Sequence, residues 1–185
     1  MENTTRTWVF PKLDTRQFVL LAMLMALHMV LSRLTVGTNV LQVSFAFVTM
    51  SLIAKWYGPL WSMLIAAILD VIGATIINPG AFFLGFTFTA MISALIYSLA
   101  YFKHDKTSWW RVSVAVGLVL LITNIGLNSI WLVMMYHTAH DWPSFLAFIT
   151  PRVIKNLIMF PVQVGISYFL LNNQVISHTT KKIFS

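Results

Sequence analysis

Residues 57–77 read YGPLWSMLIAAILDVIGATII, and the reading of this stretch decides the fold. Gly58-Pro59 breaks the preceding chain, and Pro59 has the backbone angle that opens a new helix. The run that follows is apolar to Ile77 except for small hydroxyls and one carboxylate, Asp70. A run of about 20 such residues is the length an α-helix needs to cross ~30 Å of hydrocarbon. Asn78-Pro79-Gly80 then gives a strong turn signal.

Working outward, five more apolar runs have the same character. The predicted helices are 17–36, 43–56, 60–77, 81–102, 112–136 and 152–171, after a polar N-terminal segment, 1–16. The 43–56 run is short for a full crossing. Pro143 and Pro151 punctuate the loop before the last helix, and Pro161 lies inside that helix, where it predicts a kink. The first run ends at Ser32-Arg33-Leu34 without a small-residue cleavage site, so it reads as a retained span and not a removable signal peptide.

Composition agrees. The 185-residue chain is 58% hydrophobic and 9% charged, with a mean hydropathy of +0.81. Soluble domains carry about 25% charged residues, so lipid is the solvent for most of this surface. The expected fold is an all-α membrane protein, a compact bundle of six transmembrane helices in a single domain spanning 1–185. The net charge of +7 does not point to nucleic acid, because the cations sit in short loops between apolar runs. With both termini cytoplasmic, the inner side holds Arg6, Lys12, Arg16, Lys55, Lys103, Lys106, Arg111, Lys181 and Lys182. The outer side holds only Arg33, Arg152 and Lys155. This is the positive-inside bias. The chain has no cysteine, which removes disulfides and thiolate chemistry.

Ionisable groups inside spans are costly and mark function by default. Asp70 is the one carboxylate inside a predicted span. A packing hydrogen bond to a neighbouring helix is the plainer reading; an ionised carboxylate is a poor choice for packing alone, which favours a binding role. In the last helix, Arg152, Lys155 and Asn156 share a face, and Gln163 extends it inward. Placed in the first turns of a helix, they compose an anion site. Snorkelling explains each cation singly, but not their concentration on a side otherwise poor in cations. Asn124, Asn128 and Trp131 share a face of the fifth helix, where interhelical packing and ligand contact are equally good readings. Phe82, Phe83 and Phe86 open the fourth helix. Trp56, Trp61, Trp109, Trp110 and Trp142 read as interfacial anchors.

Arg33, the phenylalanines, the end of the fifth helix and the start of the last helix all fall at the outer side, with Asp70 and Asn128 about two turns deeper. One carboxylate, two or three cations, amides and aromatics suit a flat, polar, heteroaromatic ligand with an anionic tail. Catalytic signals are missing. There is no G-x-x-x-x-G-K-[ST] loop, no H-E-x-x-H, and no second carboxylate near Asp70. His28, His104, His137, His140 and His178 are scattered and read mostly as loop or interface residues; no metal or cofactor site is expected. Ala22-x-x-x-Ala26 and Ala90-x-x-x-Ala94 permit close helix approach.

These residues, in this order, resemble the substrate-binding S components of energy-coupling factor (ECF) vitamin transporters, most closely the folate-specific type. The likeness runs through Ala22-x-x-x-Ala26, Leu31-Ser32-Arg33, Val43-Ser44-Phe45, Tyr57-Gly58-Pro59 and Asp70 with Gly73-Ala74. It continues through Pro79-Gly80-Ala81-Phe82-Phe83, Gly85-Phe86-Thr87, Leu127-Asn128-x-x-Trp131-Leu132 and Pro151-Arg152-x-x-Lys155-Asn156. The resemblance implies six helices, a folate pocket on the outer side, and a multi-pass location in a prokaryotic plasma membrane. It implies docking through Ala22 and Ala26 to a transmembrane coupling subunit, EcfT, which carries two ATPase subunits; the chain itself is then no enzyme. Competing readings are the same scaffold for pantothenate or biotin, a small membrane enzyme acting on lipid, and a ligand-free assembly subunit.

Overall fold

A computed structural model describes residues 12–38, 41–77, 83–104, 106–136 and 142–184. Arg6, the Asn78-Pro79-Gly80 turn, Ala81, Phe82, His137 and His140 lie outside the described residues. Helix α1 is Thr15–Arg33. Asp14 caps it, with Gln17 closing a reciprocal capping box that satisfies two of the free N–H groups of the first turn.

Strands β1 (Thr35–Thr38) and β2 (Leu41–Ser44) follow, paired antiparallel with Thr35 opposite Ser44 and Val36 opposite Val43. The sequence had assigned the ends of this hairpin to helices 17–36 and 43–56. Thr35, Val36, Thr38 and Val43 are β-branched and favour extended backbone. The described residues are therefore helical apart from one short hairpin, and not wholly α.

Helix α2 (Ala46–Ile72) contains the break expected at Gly58-Pro59. Gly58 has φ 81° and ψ 178°, a region open essentially to glycine alone. A Cβ there would also stand 3.0 Å from the Phe102 ring. α2 thus divides into a first limb ending at Tyr57 and a second that carries Asp70. A wider π-type turn, Gly73–Ile77, ends the second limb.

Helix α3 is Leu84–Tyr101. Helices α4 (Trp109–Leu118) and α5 (Asn128–Tyr136) are joined without interruption by a π-type segment, Val119–Leu127. The Asn128 N–H donates to the Thr123 carbonyl, five residues back. Helix α6 is Trp142–Leu171 and α7 is Gln174–Phe184.

Helix α6 begins at Trp142 and not at Arg152. Pro143 falls in its first turn, where proline costs nothing, and α6 continues through Pro151. Arg152 and Lys155 accordingly do not stand at a helix N-terminus, and the positive helix end expected to assist them is not theirs. The α7 helix was not expected. His28 is no interface residue either: it lies within α1, its Nδ1 2.9 Å from Thr49 Oγ1 on α2.

Among the described residues, five helical stretches are long and apolar enough to cross a membrane: Thr15–Arg33, Ala46–Ile76, Leu84–Tyr101, Trp109–Met135 and Ser144–Leu171. The core sits where α2, α3, α4 and α6 meet. Ile53, Ala54, Ala94, Tyr97, Tyr101, Val112, Val116 and Val164 are buried there. Small residues bring α2 and α3 close enough for Ser98 Oγ to donate to the Ala54 carbonyl at 3.2 Å. Trp56 belongs to this core and is not an interfacial anchor, whereas Trp109 and Trp110 are exposed.

The end of the bundle where α1 begins and α6 finishes, here the proximal end, is closed by hydrogen bonds. Lys55 Nζ donates to the Leu171 carbonyl at 2.5 Å, a cation at a helix C-terminus. Thr107 and Asn172 exchange two bonds of 2.9 Å. Tyr57 Oη donates to the Gln17 carbonyl at 2.6 Å, and the Tyr57 ring meets Phe184 of α7 edge-on, with centroids 5.3 Å apart.

Candidate functional site

The candidate site lies toward the other, distal end. α3 enters the bundle between the Asp70 limb of α2 and α5. Thr87 and Thr89, in its first turns, are both buried. At 3.6 residues per turn, two positions apart is about 200° around the helix, so the two hydroxyls face opposite sides. Thr87 Oγ1 donates to Asp70 Oδ2 at 2.7 Å on one side. On the other, Trp131 Nε1 donates to Thr89 Oγ1 at 3.0 Å, while Thr89 itself donates to the Gly85 carbonyl at 3.0 Å. Neither threonine was singled out from the sequence as a site residue. Helical threonines ordinarily bond back to their own helix, so nothing in the pattern distinguishes these two.

Phe83, Phe86 and Trp131 are in ring contact, Phe83 touching both of the others. The Phe83 and Trp131 ring centroids are 5.7 Å apart, tilted by 52°, and those of Phe83 and Phe86 are 6.0 Å apart. A planar ligand between two rings needs them roughly 7 Å apart, two van der Waals layers. Phe83 and Trp131 therefore form one continuous wall, against which a flat ring can lie, and not the two jaws of a sandwich. Gly85 makes the wall possible: a Cβ there would overlap the Phe83 ring and come within 2.7 Å of Trp131 Cδ2. Asn128 turns to Asn124, Nδ2 to Oδ1 at 3.5 Å, so these two amides do share a face across the π-type segment.

The cationic part of the site is on α6. Arg152 is 8% exposed and Asn156 is 4% exposed, and Lys155 is half-buried. The Arg152 guanidinium carbon sits 4.6 Å from the Phe148 ring centroid, one turn earlier, a cation–π arrangement. Its Nε is buried without a hydrogen-bond partner. A buried, unpaired donor on a charged group is expensive unless something else completes it. Arg152 to Leu171 alone spans roughly 30 Å, the hydrocarbon thickness, which puts Arg152 near the far membrane boundary. Arg33 is exposed at the end of α1. Ala22 and Ala26 are exposed on α1, in a stripe with Phe18, Val19, Met23, Leu27 and Val30. Among the described residues, no three His, Cys, Asp or Glu side chains are grouped to hold a metal ion.

Half-buried carboxylate, aromatic wall and buried guanidinium are the candidate binding groups among the described residues. Comparison with known proteins gives the family. Residues 16–171 match the family described as "ECF transporter, substrate-specific component". The chain is 98% identical, over its whole length and that of the relative, to the folate transporter FolT of Leuconostoc mesenteroides subsp. mesenteroides. It is 32% identical to the folate transporter FolT of Clostridium novyi, covering 81% of this chain and 84% of the relative. Its fold matches a crystal structure of FolT bound with folic acid at a TM-score of 0.78 and 36% identity, covering 86% of this chain and 94% of the other. Sequence pattern, helical architecture and site chemistry meet in one assignment: the chain belongs to the substrate-specific components of ECF transporters.

Proposed function

We propose that this chain is the folate-binding membrane subunit of an ECF-type, ATP-driven vitamin uptake transporter in a prokaryotic plasma membrane. The observation that carries the reading is the whole-length likeness to folate transporters, one of them crystallised with folic acid. The chain is a binding and transport component and not an enzyme, as its family membership states.

The site supports a division of the ligand between its two parts. An amino-pyrimidinone edge presents two neighbouring N–H donors, and a carboxylate accepts such a pair in a bidentate, charge-assisted arrangement. Asp70 takes this role, with the pterin plane against Phe83, Phe86 and Trp131, and with Asn128 beside it. The glutamate tail of folate, with two carboxylates, lies toward Arg152, Lys155 and Asn156, and Arg33 borders the mouth. The buried unpaired Nε of Arg152 supports this placement, since an incoming carboxylate supplies the missing acceptor.

Six helices with both termini in the cytoplasm accord with the cation distribution and with Gly58 dividing α2 into two limbs. Ala22 and Ala26, small and exposed on α1, are the surface for the transmembrane coupling subunit, and its two ATPase subunits supply the energy. The decisive test uses the purified chain in detergent. Titration calorimetry should give saturable binding of folic acid and none of pantothenate or biotin. Small molecules released by denaturing the protein should carry the ultraviolet absorption of a pterin. Binding of pantothenate or biotin in place of folic acid sinks the folate assignment.

A further inference from the structure

We propose that Thr87 is a positioning residue for recognition: its hydroxyl fixes the plane of the Asp70 carboxylate, and thereby makes the site selective for a ligand edge with two adjacent N–H donors. The inference rests on the folate reading above and extends it to a residue that makes its contribution through Asp70.

The argument begins from the hydrogen inventory. A carboxylate offers about four lone-pair positions on two oxygens and, unheld, swings freely about its last side-chain torsion. Thr87 has one hydroxyl hydrogen, and it goes to Asp70 Oδ2 at 2.7 Å. The bond consumes one position on one oxygen and leaves Oδ1 and the remainder of Oδ2 open. It also removes the rotation. A bidentate pair of N–H donors needs both oxygens in the plane of the incoming ring, whereas a single donor is served by either oxygen at almost any rotation. Fixing the plane therefore favours the two-donor edge over the one-donor edge.

Burial makes the fixation effective. Thr87 is 9% exposed, so little water competes for the bond. The backbone around it is held as well. Thr89, facing the other way, ties α3 to Trp131 at 3.0 Å and is itself 4% exposed. α3 thus holds one binding residue on each flank, carboxylate and indole, at a fixed relation to one another. The Gly85 cradle lets the aromatic wall close against the same turn.

The test compares two ligands on three proteins. Wild type, Thr87→Val and Thr87→Ser are purified in detergent and titrated calorimetrically with folic acid and with a folate analogue lacking the 2-amino group. Val preserves shape and removes the hydroxyl; Ser preserves the hydroxyl. Thr87→Val should weaken folic acid roughly tenfold, on the scale of one hydrogen bond to a charged group, and the one-donor analogue much less. Thr87→Ser should restore the wild-type preference. Equal weakening of both ligands by Thr87→Val, no weakening, or failure of Ser to restore the preference overturns the proposal. Should Thr87→Val fail to fold, the Ser variant and a Thr87→Cys variant, whose thiol donates weakly, must still fall in the order Thr, Ser, Cys for folic acid preference; any other order overturns it. Absence of folic acid binding by wild type is a different result: it overturns the folate reading and this inference with it.

Discussion

The two ends of this bundle treat buried charge in different ways. At the proximal end, Lys55 closes on the last carbonyl of α6, Thr107 and Asn172 bond each other twice, and Tyr57 ties α1 to the bundle. At the distal end, Asp70 is held by one hydroxyl and the Arg152 Nε has no partner. Both ends contain buried charge in an apolar protein, where an unpaired group is penalised. The difference is which partner completes the pairing. The proximal end pairs its buried charge, Lys55, internally, whereas on the function proposed above the distal end leaves it to the ligand. A charge-bearing residue in a membrane bundle is therefore read through its partners, not through its presence.

The largest expected effect tests the surface between the two ends. Ala22→Trp combined with Ala26→Trp should abolish folate uptake by cells while the purified double variant still binds folic acid in detergent, because bulky side chains prevent close helix approach. Loss of both would mean that this face packs within the bundle, and the exposed stripe on α1 would need another account. Next comes the ligand-completed end itself. Asp70→Asn should cost at least roughly 2 kcal/mol of folic acid binding, since an amide nitrogen presents a donor where an acceptor is needed. Unchanged affinity in a folded variant would remove Asp70 from the site.

Arg152→Ala sharpens the division within the distal end. It should weaken folic acid by roughly 1.5 kcal/mol and a pterin without the glutamate by much less. Equal losses for the two ligands would place Arg152 at the head or in the fold. The smallest effect belongs to the proximal end. Lys55→Met should lower stability by about 1 kcal/mol, read as a lower melting temperature without ligand, and leave folic acid affinity unchanged. A change of affinity there would break the contrast between the ends.

Much of the fold was legible because its determinants are local. Apolar runs of spanning length, Gly58-Pro59 and the loop cations each declare themselves over a few residues, and the described residues are helical over the greater part of the predicted runs. The misses share a cause. The hairpin at Thr35–Thr38 and Leu41–Ser44 depends on strand pairing that no single run reveals. Pro151 reads as a boundary, yet α6 passes through it, because packing against neighbours overrides a local preference. Of the proposed site, the costly members were legible. Asp70 and Arg152 stand out because charge is rare in a span. Thr87 and Thr89 do not, because a hydroxyl in a helix carries no cost until its partner is known. His28 reads from the sequence as one of several scattered histidines for the same reason: its pairing with Thr49 joins two helices.

Trp131 has an optical consequence. Its indole lies against Phe83 and donates to Thr89, so it is fixed in orientation at the wall where the pterin plane is placed. Pterins absorb in the near ultraviolet, where tryptophan emits, and energy passes efficiently over contact distances. Folic acid arriving at that wall should therefore darken the emission of this one indole almost completely, while Trp109 and Trp110, exposed on α4, are dimmed far less. A chain in which the other six tryptophans (Trp8, Trp56, Trp61, Trp109, Trp110 and Trp142) are replaced by phenylalanine becomes its own reporter of occupancy, readable in a lipid vesicle without any added dye.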